Sequence, residues 1–255
     1  MAAATHTSTR LAFDDEGTGS PVVFLHGLTF DRRTWRPIVE RLDGVVRTIA
    51  IDLPAHGESG GVPVDLNQVA TQVNELLASL EVESPIVVGH SMSGGVAAFY
   101  AAAHPTAGVV FVDSGPEIKP FAELVHQLEP LLRGPQFPAV WERFEVSLGL
   151  DLIPEPQRSL VLETHKVDQD VVLGYWDELL RTEPDTMQEL VDTQVRMIDT
   201  PCLGVFGRPV TPGERERISW SPDSELEEWV GHGHFVHLVE PDRFAARLLE
   251  FVRAR

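Results

Sequence analysis

Short, uninterrupted apolar runs separated by helix-length amphipathic stretches leave this chain few folds to choose from. Val22-Val23-Phe24-Leu25 and Ile86-Val87-Val88 do not alternate apolar with polar residues. They therefore read as strands buried on both faces, which occur in parallel sheets covered on each side by crossover helices. Strands are expected at residues 10–13, 22–26, 45–51, 85–89, 109–112, 202–206 and 225–230. The clearest helices are 65–80, with Val69, Val73, Leu76, Leu77 and Leu80 on one stripe, and 241–252, with Phe244, Leu248 and Phe251. The expected class is α/β, a mostly parallel sheet flanked by helices.

Between residues 114 and 200 the pattern changes. Helical segments are expected at 121–132, 139–148, 157–163, 171–181 and 186–198, with no strand among them. Prolines at 116, 120, 130, 135, 138, 154, 156 and 184 are expected to break the stretch into short helices. The organisation predicted is a core of residues 1–115 and 200–255 carrying an inserted helical cap at 116–199.

Charge narrows the partners. With 20 Lys and Arg against 39 Asp and Glu, the 255-residue chain has a formal charge of −19. No basic surface is available to neutralise phosphates, so nucleic acid is not expected as a partner. Membrane binding is not expected either, because clustered cations are absent and the apolar run at 96–103 is far shorter than a span. Cys202 is the only cysteine, which excludes an intrachain disulfide and points to a reducing compartment. Residues 1–10 show no apolar stretch between a basic start and a cleavage site. A cytoplasmic location is the expectation, and the oligomeric state is left open.

The chemistry concentrates at Val87-Val88-Gly89-His90-Ser91-Met92-Ser93-Gly94-Gly95, a buried strand running straight into a small-residue helix start. A serine on such a turn projects its Oγ away from the sheet, and small neighbours at Gly89 and Ser93 let the strained turn pack. The helix places free N–H groups and a positive dipole end beside Ser91, with Met92 N–H the natural oxyanion donor. The competing reading of Ser91 is a helix cap. A serine nucleophile needs a base. Gly231-His232-Gly233-His234-Phe235-Val236-His237 follows the last expected strand, at the sheet edge where Ser91 sits, and His234 is the candidate. His232 and His237 read as loop or helix-cap residues. The three histidines as a metal cluster is the weaker alternative, since carboxylate or thiolate ligands are not close in the loop.

Taken in order, His26-Gly27, Asp52-Leu53-Pro54-Ala55-His56-Gly57-Glu58-Ser59, the serine turn, a helical insertion and Gly233-His234-Phe235 make a chain that resembles a serine hydrolase of the α/β-hydrolase superfamily. The resemblance covers nearly the whole chain. It implies the α/β-hydrolase fold and a second oxyanion N–H at Leu28, and it makes Asp52, His56 and His26 structural residues of turns and loops. It also exposes a departure. The orienting acid of most relatives follows the strand at 202–206, about three residues past a glycine, and here Val210 stands at that place. The other acid site of the superfamily, used by haloalkane dehalogenases and zearalenone-type lactone hydrolases, follows the strand at 109–112, where this chain has Asp113. Asp113 is taken as the acid, with Glu214 and Glu117 in reserve. A serine at the turn, where haloalkane dehalogenases and epoxide hydrolases carry a carboxylate, implies acyl transfer.

The expected reaction is hydrolysis of a carboxylic ester or lactone, through an acyl-enzyme on Ser91 with His234 as base. The same fold doing non-hydrolytic chemistry (a cyclase, lyase or carbon–carbon bond cleavage) or acting as a small-molecule receptor is the alternative. Phe30, Trp141, Tyr175 and Trp176 are the expected substrate contacts, in a mostly apolar pocket taking an uncharged small molecule. His126 and His165 are expected on the surface of the insertion. No dinucleotide fingerprint, phosphate loop or metal-ligand spacing is present, so neither cofactor nor metal is expected.

Overall fold

A computed structural model describes residues 10–255. The reading of residues 1–10 and the start of the expected core lie, but for Arg10, outside the described residues. Seven strands, β1 (Phe13–Glu16), β2 (Pro21–Leu25), β3 (Arg47–Ile51), β4 (Ile86–His90), β5 (Gly108–Val112), β6 (Cys202–Phe206) and β7 (Glu225–Glu228), form one sheet in the order β1-β3-β2-β4-β5-β6-β7. β1 runs antiparallel to β3 and every other pair is parallel.

Helices α1 (Arg36–Leu42), α2 (Leu66–Ser79) and α3 (Met92–Ala103) follow β2, β3 and β4. Six more lie between β5 and β6: α4 (Lys119–Leu132), α5 (Phe137–Ser147), α6 (Gln157–Thr164), α7 (Gln169–Tyr175), α8 (Asp177–Arg181) and α9 (Pro184–Arg196). The chain closes with α10 (Pro212–Ile218), α11 (Val236–Val239) and α12 (Pro241–Arg253).

Alternation along each strand feeds two cores. Val23 and Leu25 of β2 pack with α2 and α3, through Val69, Val73 and Val96. Val22 and Phe24 pack on the other face with Ile38 and Leu42 of α1 and with Phe244, Leu248 and Phe251 of α12. All of these are essentially solvent-free. Each such side chain contributes roughly 1.5–3 kcal/mol of transfer free energy, enough together to hold the sheet as a rigid platform.

The expected boundaries shift where tertiary pairing overrides apolar content. β1 lies three residues later than expected, because the ladder with β3 pairs Phe13 with Ile51 and carries on through Asp14, Asp15 and Glu16, an exposed acidic edge. Among the prolines, Pro120, Pro138 and Pro184 occupy first turns, where the missing N–H is not needed. They start helices rather than break them. Pro130 sits inside the last turn of α4, which runs on to Leu132, so the expected break there does not occur. The expected helix at 171–181 is instead two, parted at Trp176, which ends α7 and caps α8. Among the described residues no helix is long and apolar enough to cross a membrane.

Candidate active site

β4 delivers the chain into a sharp turn at Ser91, whose φ of 55° and ψ of −126° lie where a non-glycine residue is strained. The surroundings over-determine that conformation. Ser91 N–H donates to Val112 O at 3.0 Å, Gly94 N–H to Ser91 O at 2.9 Å, and the Ser93 hydroxyl to the carbonyl of His26. A Cβ on Gly89 would stand 2.2 Å from Ser93 O, so only glycine lets strand and helix close this tightly. Ser91 Oγ is thus presented at the carboxyl edge of the sheet, at the N-terminus of α3.

The structure brings His234 and Asp113 together. Asp113 directly follows β5 and has a positive φ of 43°. Its N–H donates to Val205 O at 2.8 Å, Gly207 N–H donates to its Oδ1 at 3.1 Å, and its Oδ2 stands 2.8 Å from His234 Nδ1. A carboxylate so placed selects the tautomer with the proton on Nδ1 and leaves Nε2 as the basic face. Gly207 has a second role: a Cβ there would fall 1.9 Å from Gly233 O, so the loops carrying Asp113 and His234 meet only because it is glycine. Among the described residues no hydrogen bond joins Ser91 Oγ to His234 Nε2, although both side chains face one cavity.

The loop after β2 supplies the other wall. Leu28 and Met92, expected as backbone donors, both line the cavity. Thr29 adopts a φ of 70°, an unusual value for a β-branched residue. Its N–H donates to His56 Nε2 at 3.2 Å, and its carbonyl accepts from Lys166 N–H, on the insertion, at 2.8 Å. His56 Nδ1 lies 3.0 Å from Pro54 O, so the ring donates at one nitrogen and accepts at the other. His26 bridges in the same way, from Leu53 N–H to Gly27 O. Both rings must be neutral to do this. Burial, reinforced by neighbouring His56, lowers the pKa of His26 to about 3, and burial lowers that of His56.

Two histidines missed as participants lie behind His234. His90 Nε2 is 2.9 Å from His234 O and donates to it, tying the histidine loop to the serine turn. His237, expected as a loop or cap residue, is completely buried on α11, tilted against Trp35 at 4.5 Å, with neither ring nitrogen hydrogen-bonded. Burial holds both well below the usual histidine range. His90 had a signal, since it adjoins Ser91 within the turn motif; His237 had none. His232 lies 3.2 Å from Glu240. His126 and His165, expected on the surface of the insertion, are half-buried. His126 Nε2 bonds Leu179 O at 2.8 Å, and His165 stacks on Phe30 at 4.7 Å, pinning the insertion to the loop after β2.

The reserve carboxylates are engaged elsewhere. Glu214 is buried on α10, takes both Arg208 nitrogens at 2.8 and 2.6 Å, and completes a capping box with Thr211. Burial alone would raise its pKa, but the Arg208 and Thr211 hydrogen bonds prevail and hold it below the usual range. Glu117 accepts from Thr211 Oγ1 at 2.6 Å. Val210 N–H donates to Glu228.

The cavity has a volume of about 500 Å³. Phe30, Trp141, Tyr175 and Trp176, the expected substrate contacts, all line it. Tyr175 does so with its hydroxyl already committed to Pro54 O at 2.8 Å. Trp141 and Trp176, 5.8 Å apart, belong with Phe121 and Phe144 to a packed aromatic wall on the insertion. Among the described residues no group of three or more His, Cys, Asp and Glu is arranged to hold a metal ion.

Comparison with known proteins agrees with this architecture. The Alpha/beta hydrolase family model matches residues 22–247. The non-heme chloroperoxidase CPO-A1 of Kitasatospora aureofaciens is 34% identical, over 97% of this chain and 98% of that protein. A thermophilic esterase from Thermogutta terrifontis superposes with a TM-score of 0.72 at 24% identity, covering 98% and 96% of the two chains. AqDC, described as recognising and ring-cleaving the Pseudomonas quinolone signal, superposes with a TM-score of 0.81 at 19% identity over 100% of each.

Proposed function

Because this chain belongs to the alpha/beta hydrolase family, we propose that it is a serine hydrolase acting on an uncharged carboxylic ester or lactone, in the cytoplasm. The observation that carries the reading is the Asp113 carboxylate 2.8 Å from His234 Nδ1, facing the same cavity as a serine strained into the turn after β4. In this reading residues 116–199 act as a cap, and Ser91 Oγ attacks the carbonyl carbon while His234 Nε2 takes its proton. Asp113 holds the imidazole orientation and stabilises its cation. The Leu28 and Met92 N–H groups receive the oxyanion; neither donates elsewhere among the described residues. His234 then protonates the leaving alcohol, and water, deprotonated by the same ring, releases the acid. The esterase from Thermogutta terrifontis has the same fold and fits this reading.

Labelling with a small fluorophosphonate tests it. The folded protein should be modified at Ser91, the label should be lost on unfolding before treatment, and Ser91→Ala should abolish both labelling and ester turnover. A folded protein that neither labels nor cleaves esters overturns the proposal.

One observation favours a second reading. With no hydrogen bond between Ser91 Oγ and His234 Nε2, the imidazole is free to take a proton from the ligand itself, as carbon–carbon bond or ring cleavage would require. Retained turnover of a ring substrate by Ser91→Ala, with esters untouched, would select that chemistry.

A further inference from the structure

The cavity does not stop beneath the aromatic wall. Besides Ser91 and His234, its lining includes Cys202, Ile218 and Ser221. Cys202 is the first residue of β6, whereas the catalytic loops meet the other end of that strand, where Asp113 N–H bonds Val205 O and Gly207 follows. Four residue steps of extended chain separate Cys202 from Phe206, or about 13 Å. The cavity therefore runs from the carboxyl edge of the sheet down its face to the amino end of β6. We infer that this arm binds a linear, uncharged hydrocarbon chain of roughly ten carbons, extended, attached on one side of the group that Ser91 attacks. The inference rests on the hydrolase reading only for what happens at Ser91.

The walls specify the chemistry. The sheet contributes Phe111, α3 contributes Ala98 and Phe99, and α9 contributes Val191 and Val195. The polar side chains of this stretch, Gln194 and Ser221, are neutral, so a charged group on a ligand would lose water there without a compensating partner. No Lys or Arg lines its far end among the described residues. Arg208 is the one Lys or Arg in the lining among the described residues; it lies beside the acid loop, paired with Glu214. A chain ending in a carboxylate would thus meet the Cys202 thiol and the Ser221 hydroxyl, neutral groups that do not balance its charge, in a protein of net charge −19, and a hydroxyl or methyl end is preferred.

The test is equilibrium binding of 1-alkanols from four to twelve carbons to the wild-type protein, by calorimetry or by displacement of an environment-sensitive dye. Each methylene entering the arm should tighten Kd by about fourfold, as burial of a CH₂ predicts, until the gain ends near ten carbons. Val195→Phe and, separately, Ala98→Leu should move that endpoint to shorter chains and leave butanol affinity within about twofold. An ω-carboxylated alkanol of matching length should bind at least a hundredfold more weakly. Affinity that stops rising at four or five carbons, an endpoint unmoved in both folded variants, or equal binding of the ω-carboxylate would overturn the inference. Alkanol binding needs no turnover, so a protein that shows the length series but fails to label at Ser91 loses the hydrolase reading and keeps the arm.

Discussion

The loops after β5 and β6 each carry a buried or half-buried carboxylate near the same cavity, and they use it in opposite ways. Asp113 accepts one backbone N–H, from Gly207, and turns its second oxygen to His234. Glu214 spends both oxygens on Arg208 and accepts Thr211 N–H as well, closing a capping box on α10. A carboxylate can orient a catalytic imidazole only if an oxygen is left for it and the backbone aims it. Asp113 meets both conditions through its positive φ; Glu214 meets neither. Electrostatic proximity to the site is shared, so it does not make the distinction.

Breaking the Asp113 side should give the largest effect. In the proposed reaction Asp113→Asn removes the charge that stabilises the His234 cation and lets the ring take the wrong tautomer, so kcat should fall by about 10³–10⁴. Steady-state kinetics on any ester the enzyme accepts will read it, with KM changing little. A loss below tenfold would return the acid to the loop after β6.

The next test compares His234, which has a carboxylate partner, with the imidazoles around it, which have none. His26, His56, His90 and His237 are buried, and their pKa values are lowered chiefly by burial. In the unfolded chain each would titrate near 6.5. The unfolded state therefore binds more protons below that pH, and the stability held by the neutral rings is fully present above about pH 6.5 and lost as pH falls. Each ring adds up to about 1.4 kcal/mol per pH unit to the slope. Urea unfolding midpoints between pH 7 and 5 should fall steeply, and His237→Phe, which keeps an aromatic ring against Trp35, should flatten the slope by close to one proton. An unchanged slope in that variant would show that His237 charges without cost in the fold.

The same contrast separates what local sequence dictates from what distant contacts decide. The sheet was legible because two-sided burial writes continuous apolar runs, and the serine turn because its sterics admit few residues besides those at Gly89 and Ser93. Asp113 was legible as a candidate because Val210 cannot act as an acid. What was not legible depends on contacts distant in sequence. Gly207 looks like a marker of the loop after β6, but its requirement comes from Gly233 O, 26 residues on. Thr29 is fixed by His56 on one side and Lys166 on the other, and neither spacing repeats in any pattern. Pro130 is a helix breaker by local rule, yet α4 carries it in its last turn because Ala122, Val125 and Leu132 are buried by the surrounding helices.

The smallest expected effect sharpens the contrast from the other side. Glu214→Gln leaves the shape of the side chain but replaces a carboxylate that Arg208 grips twice and Thr211 N–H once. Removing one partner of a buried ion pair leaves the other charge without compensation, at several kcal/mol when both are dry. Here the Arg208 side chain is 42% exposed, so water takes over much of its solvation and the cost drops to roughly 1–2 kcal/mol. That corresponds to a Tm lower by a few degrees for a chain of this size, read by thermal unfolding at pH 7. Turnover should stay within about threefold, because Asp113 and His234 keep their hydrogen bond. A variant with normal Tm and kcat reduced a hundredfold would mean that Glu214 acts on the histidine and that the pairing with Arg208 is secondary.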